Sequence, residues 1–110
     1  MGRGRAGKSP RLTVIYWRDI PAQVTARSGR SRVSEKLDNR FQVAIDGAAT
    51  RARKTAADDY IAEWREESEP VDGDLGEAVR NRRLELEESF SPDLLKAHVS
   101  NGGWAPTGSP

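Results

Sequence analysis

The chain has 110 residues, 35% of them apolar, with no cysteine and a single histidine, which bounds it to one domain with a modest core and excludes disulfide frameworks and thiolate metal sites. No apolar run approaches the ~18 residues of a spanning helix, and "MGRGRAGKSP" carries positive charge with no apolar stretch behind it, so the expectation is a cytoplasmic chain without membrane contact. The net charge of +1 conceals a split: residues 1–54 hold 13 Lys/Arg against 4 Asp/Glu, and residues 55–110 hold 5 against 13.

Residues 1–10, with three Gly, one Pro and three cations, offer too little apolar surface to offset ordering entropy and are expected to be a disordered basic tail. "LTVIYW", residues 12–17, is β-branched and aromatic with both faces apolar, Leu12, Val14 and Tyr16 on one and Ile15 and Trp17 beside Thr13 on the other. That is the pattern of a central strand covered on both sides. Pro21 cannot donate to a ladder, so this strand ends by Ile20, and "AQVTAR" follows as a half-exposed partner strand alternating Ala22, Val24 and Ala26 with Gln23, Thr25 and Arg27.

"SGRSR", residues 28–32, is a loop, and "VSEKL" after it fits either a short strand or an irregular approach to a helix. From Asp38, a good N-cap, "NRFQVAIDGAATRARK" places Phe41, Ala44, Ile45, Ala48 and Ala52 on one helical face. Thr55 and Asp58 fit a capping pattern that opens a second helix, "AADDYIAEWREESE", with Tyr60, Ile61 and Trp64 on its apolar edge. Pro70 and "VDGD" end it. "LGEAVRNRRLELEESF" then sets Leu75, Ala78, Val79, Leu86 and Phe90 at helical spacing, interrupted by Arg82 and Arg83. Ser91 and Pro92 open a final short helix before "SNGGWAPTGSP" returns to disorder-prone composition. The expected architecture is α+β: a small antiparallel β-hairpin or three-stranded sheet packed by two or three helices, with disordered termini. Its segments are a basic tail at 1–10, a domain at 11–69, a helical extension at 70–98 packed on it, and a tail at 99–110.

Three segments, "YWRDIPAQV", "RFQVAIDGAATRA" and "DDYIAEWR", together resemble the bacterial "virulence factor" domain family over roughly residues 11 to 66. The resemblance implies a small soluble domain, found alone or attached to helical-repeat and iron–sulfur-scaffold-like modules, and it brings no catalytic residues. It also implies neighbouring genes of one-carbon metabolism, although the chain has no folate or corrinoid motif.

A stiff turn made by Pro21 holds Arg18 and Asp19 in place, which suits two roles. In one, Asp19 accepts backbone N–H groups and Arg18 pairs with an acid from the second helix; in the other, both meet a partner. Trp17 and Trp64 are each followed by arginine, a combination common at interface hot spots, although Trp is as often core. Catalysis lacks its usual components: Asp58, Asp59 and Glu63 read as a solvated acidic face, His98 has no partner at a recognisable motif spacing, and no P-loop, dinucleotide or zinc signature is present. No catalytic or metal-ligating residue and no cofactor is assigned.

The preferred function is therefore a non-enzymatic interaction module or accessory subunit, virulence-associated by resemblance, with an unidentified protein partner. Its candidate surface is Trp17, Arg18, Asp19, Gln23, Arg40, Trp64 and Arg65. The alternative is nucleic-acid binding through Arg27, Arg30, Arg32, Lys36 and Arg40, with Tyr16 or Trp17 for stacking, and outward-facing aromatics beside the cations are the feature that separates the two. A third reading, from the resemblance, is an accessory subunit of a folate or corrinoid enzyme.

Overall fold

The computed structural model describes residues 9–106. Its elements in chain order are β1 (Arg11–Trp17), β2 (Ile20–Ser28), β3 (Ser31–Lys36), α1 (Asn39–Ala52), α2 (Ala57–Ala62), β4 (Trp64–Pro70), α3 (Leu75–Ser89) and α4 (Pro92–Ser100). The four strands form one antiparallel sheet in the order β3-β2-β1-β4, an α+β fold.

The β1–β2 and β2–β3 hairpins follow from the sequence. "VSEKL" resolves as a true strand, joined to β2 through Gly29 at φ 60, where glycine supplies the left-handed conformation of a tight hairpin. The sheet has a fourth strand that helical propensity hides. "WREESEP" lies antiparallel to β1 from Trp17↔Trp64 to Arg11↔Pro70, so the expected second helix stops at Ala62. A free β1 edge offers a full ladder of backbone hydrogen bonds, and that tertiary gain outweighs the weak helical preference of Glu-rich sequence. As the sheet's edge, β4 is blunted by Glu66, Glu67 and Glu69 and by Pro70 at its end.

Register explains how the sheet uses its two faces. Ile15 pairs with Gln23 and Tyr16 with Pro21, so Ala22 is skipped and forms a bulge. On one face, Leu12, Val14, Val24 and Ala26 are buried, and α3 packs against β2 and β3 there. Val79 and Leu86 of α3 are buried in the same core, with Leu75, Ala78 and Phe90 packed against it. Each fully buried side chain of this size contributes about 1.5–3 kcal/mol.

Only part of the other face is covered. Past the bulge Trp17 and Ile20 are fully buried, next to the Tyr60 ring of α2 and the turn after α4. Before it, Thr13 and Ile15 line an open cleft, which corrects the expectation of a strand covered on both sides throughout. The helices α1 and α4 pack closely on each other, and a methyl group at Gly47 would meet Val99 at 3.3 Å. Asp38 precedes α1 but its side chain does not cap it; its N–H donates to the Glu87 carboxylate at 2.8 Å instead. Ser91 does cap α4, accepting from the Leu94 N–H, with Pro92 in the first turn.

Residues 1–8 of the expected basic tail lie outside the described residues. At the other end, residues 99–106 are built into the structure: the last turn of α4 runs into Gly102 and Gly103, both buried and both at positive φ.

Candidate functional site

The two ends of the β1–β2 hairpin differ in chemistry. At the turn, Arg18 adopts φ 54, a left-handed conformation costing about 1–2 kcal/mol for a non-glycine residue. Neighbouring groups hold it there. The Arg18 N–H donates to the Glu63 carbonyl at 3.0 Å, and the Asp19 N–H donates to the Gly103 carbonyl at 2.9 Å. The Arg18 guanidinium donates through Nη1 to the Gly102 carbonyl at 3.0 Å. It also lies against the rings of Trp17 and Trp104, 5.3 and 4.9 Å from their centroids. Its Nε is 3.2 Å from Glu63 Oε1, a charge contact without hydrogen-bond alignment.

Asp19 is held in the same way. One carboxylate oxygen accepts from Arg65 Nη2 at 3.0 Å, and the other accepts from the Ala105 N–H at 2.7 Å. Arg65 closes the cluster by donating Nε to the Arg18 carbonyl at 2.7 Å, pairing with Glu67 and lying over the Tyr16 ring. Burial pulls the Arg65 guanidinium pKa down, but its hydrogen bonds to Glu67 and Asp19 reverse this and leave it raised.

Of the residues expected on an exposed surface, Trp17 is fully buried and donates Nε1 to the Tyr60 carbonyl, and Arg18 is buried at 8% exposure. Arg40 donates to the carbonyls of Glu87 and Phe90, closing the C-terminal end of α3. Trp64 is half-buried, edge-on to Tyr60, whose ring also stacks on Trp17. The structure thus brings Trp17, Arg18, Asp19, Trp64 and Arg65 together in one closely bonded turn, leaves Arg40 with α3, and puts Gln23 elsewhere. A sequence signal for part of this was the Gly102–Gly103 pair directly after a helix, the pattern of a left-handed C-cap.

Gln23 lines a smaller notch next to the open part of the sheet, which is a cleft of ≈ 570 Å³ lined by residues of all four strands. Three rows cross it. The first is cationic: Arg11 pairs in register with Arg27, and Arg27 with Arg32. All three are exposed, and among the described residues their side chains have no ion pair or hydrogen bond. Like charges directly opposite on neighbouring strands destabilise a sheet, so this row carries its own repulsion. The second row is hydroxylic. Thr13 Oγ1 and Ser68 Oγ are 2.7 Å apart, Thr25 Oγ1 and Ser34 Oγ 2.6 Å, and Gln23 Nε2 donates to Ser34. The third row holds Glu66, Ile15, Gln23 and Lys36. Beside it a notch of ≈ 230 Å³ is walled by Ile15, Ala22, Gln23, Lys36, Gln42 and Trp64. Alternation within β2 marked Thr25 and Arg27 as outward; Arg11, Thr13, Ser34 and Ser68 join them only through register, which the sequence leaves open.

Tyr16 and Trp17, the candidate stacking residues, are both absent from this open surface. Tyr16 faces the α3 side between Arg65 and Arg82, where burial, reinforced by the Glu67 carboxylate, raises its pKa above the usual 10.0. Among the described residues no group of three or more His, Asp or Glu side chains is placed to hold a metal ion, and no helix is long and apolar enough to cross a membrane.

Fold and site together define a small α+β protein with a half-open antiparallel sheet, whose exposed face carries cations unpaired among the described residues. The chain belongs to the virulence factor family, whose sequence model matches residues 15–99, from the middle of β1 through α4. The match runs past Pro70, so α3 and α4 fall within the family's own domain rather than beyond its resemblance to the first 66 residues. No curated protein and no solved structure matches the chain.

Proposed function

We propose that this chain is a non-catalytic docking module that works through the open sheet face rather than the Arg18–Asp19 turn, and that its partner is a protein presenting an acidic surface. The observation that carries this reading is the row Arg11–Arg27–Arg32, three register-paired guanidinium groups with no acid partner among the described residues. Arginines left unpaired next to hydroxyl donors suit carboxylates, which they bind in a bidentate fashion. Nucleic acid is the weaker reading because, among the described residues, no exposed aromatic lies beside the arginine row and Glu66 stands on the same face. The virulence factor family gives a loose context for such a module and no partner.

The test is site-specific photo-crosslinking in a lysate of the source organism, with the photoreactive residue placed at Thr13 or Ser34 on the open face and at Val43 on α1 as control. Crosslinks to an acidic protein from the first two positions, lost in the R11E/R27E variant and unaffected by nuclease, support the reading. Nuclease-sensitive crosslinks, or equal labelling from Val43, overturn it.

A further inference from the structure

The open face has more structure than a cationic patch, and its layout identifies the shape of what it recognises. The arginine row runs across β1, β2 and β3, which at about 4.8 Å between strands makes a compact anion site roughly 10 Å wide. A single-stranded nucleic acid needs cations that track a backbone, and here the next charges along the strands are of both signs, Glu66 on β4 and Lys36 on β3. One row further on, the bulge at Ala22 turns that residue toward the same side as Gln23 and opens the notch walled by Ile15 and Trp64. The face therefore passes from cations, through hydroxyl groups, to a notch with apolar walls at Ile15, Ala22 and Trp64, which Gln23, Lys36 and Gln42 also line.

From this gradient, and resting on the docking reading above, we infer that the face is a two-point recognition surface for an extended acidic segment of a partner protein. Carboxylates sit on Arg11, Arg27 and Arg32, and one apolar side chain enters the notch of Ile15, Ala22 and Trp64. Arg11 and Ile15 are four residues apart on one strand, about 13 Å. An extended peptide rises by the same amount per residue, and its side chains at positions i and i+4 point to the same side. The recognised pattern is thus an acid, or a pair of acids, about four residues from a Leu, Ile or Phe. Between them, the hydroxyls of Thr13, Ser68 and Ser34 offer donors and acceptors to a peptide backbone, while the buried Thr25 bonds to Ser34.

The experiment is selection of a displayed library of short random peptides on the full chain, followed by synthesis of the enriched consensus. The inference expects an acid and an apolar residue at that spacing and amide shifts in the ¹H–¹⁵N spectrum confined to β1, β2, β3 and the notch. Affinity should fall at least ~tenfold when the acids become Gln, when the apolar residue becomes Ser, or when the protein carries R11A/R27A/R32A. Circular dichroism checks that this variant is folded. Acidic peptides that bind the face with no need for the apolar residue overturn the two-point inference and leave the docking reading standing. Peptides that bind the arginine variant equally well, or a library that yields no binder to this face, overturn both. Competition by single-stranded oligonucleotide but not by acidic peptide replaces the protein partner with a nucleic acid.

Discussion

The two ends of the β1–β2 hairpin carry the same residue types and use them in opposite ways. At the turn, Arg18, Asp19 and Arg65 are partnered with Glu63, Glu67 and the backbone of residues 102–105, and the closely packed aromatic rings of Trp17 and Tyr60 lie beside them. At the far end, Arg11, Arg27 and Arg32 face open space without a partner among the described residues. A charge matched by donors and acceptors of its own fold contributes to structure, whereas a charge kept in place against repulsion is available to something outside. A motif as distinctive as "WRDIPAQV" therefore marks here chiefly the part of the sheet that must be built, and the less distinctive alternation of Thr25 and Arg27 marks the strand face that opens onto the cleft.

Substitutions at the turn should break this contrast most severely. Trp17→Ala removes a fully buried indole and should cost about 3–5 kcal/mol. Against a typical total of about 5–15 kcal/mol that is a large fraction, so the urea midpoint should fall steeply or cooperative unfolding should disappear. Arg18→Ala leaves Glu63 and the Gly102 carbonyl without their partner in a shielded site and should cost about 3 kcal/mol. Arg18→Gly relieves the left-handed backbone and loses the same contacts. If the contacts dominate, the two variants should differ by only about 1–2 kcal/mol, with Gly the milder. Gly103→Ala should cost a further increment of about 1–3 kcal/mol, because φ is 99 and the new Cβ would come within 2.9 Å of Trp17 Cζ3. Wild-type stability in any of these would detach the C-terminal turn from the hairpin.

The sequence discloses the hairpin, α1 and α4 because each is specified locally: β-branched alternation with a proline stop, an alanine-rich apolar stripe, and a Ser-Pro cap. It conceals β4, since "WREESEP" has helical composition and becomes a strand only because β1 offers an open edge. It also conceals the role of "NGGW", whose glycines resemble a tail until Arg18 and Trp17 are seen to need a close backbone approach. The site was half legible. Gln23, Thr25 and Arg27 read as outward from their own strand, but the arginine row exists only once three strands are in register. Arg18, expected at an exposed position, is buried and tied to the Gly102 carbonyl, because the same stiffness that suits recognition also suits a structural tie.

A smaller effect concerns the covered face. Tyr16 has its pKa raised by burial and then by Glu67, against the opposing pull of Arg82 and Arg65. A group whose pKa is raised on folding contributes stability that is complete below its unfolded value, here 10.0, and is lost as pH rises through the folded value. The urea midpoint should therefore decline on the alkaline side of pH 10.0 in the wild-type protein, and the Tyr16→Phe variant should lack that component of the decline. Absorbance at 295 nm should place the ionisation of Tyr16 above that of free tyrosine. An identical alkaline decline in the Phe variant would mean that the loss comes from elsewhere on the sheet.

The smallest effect on stability belongs to the arginine row, and there the small size is the informative result. Removing Arg11, Arg27 and Arg32 together as alanines deletes three exposed side chains that have no partner among the described residues, a kind of change that ordinarily falls within about 0.5 kcal/mol per site. Two opposing contributions remain. The aliphatic stems cover part of the sheet, so truncation loses some packing; the guanidinium groups repel one another, so truncation removes a cost. Salt separates them, because screening acts on repulsion and leaves stem packing alone. The wild-type urea midpoint should rise between low and moderate ionic strength, and the triple variant should lose most of that rise while keeping nearly the same midpoint at moderate salt. A variant that is strongly destabilised at every salt concentration would show the row to be part of the fold, and the difference between the two ends of the hairpin would then be one of degree.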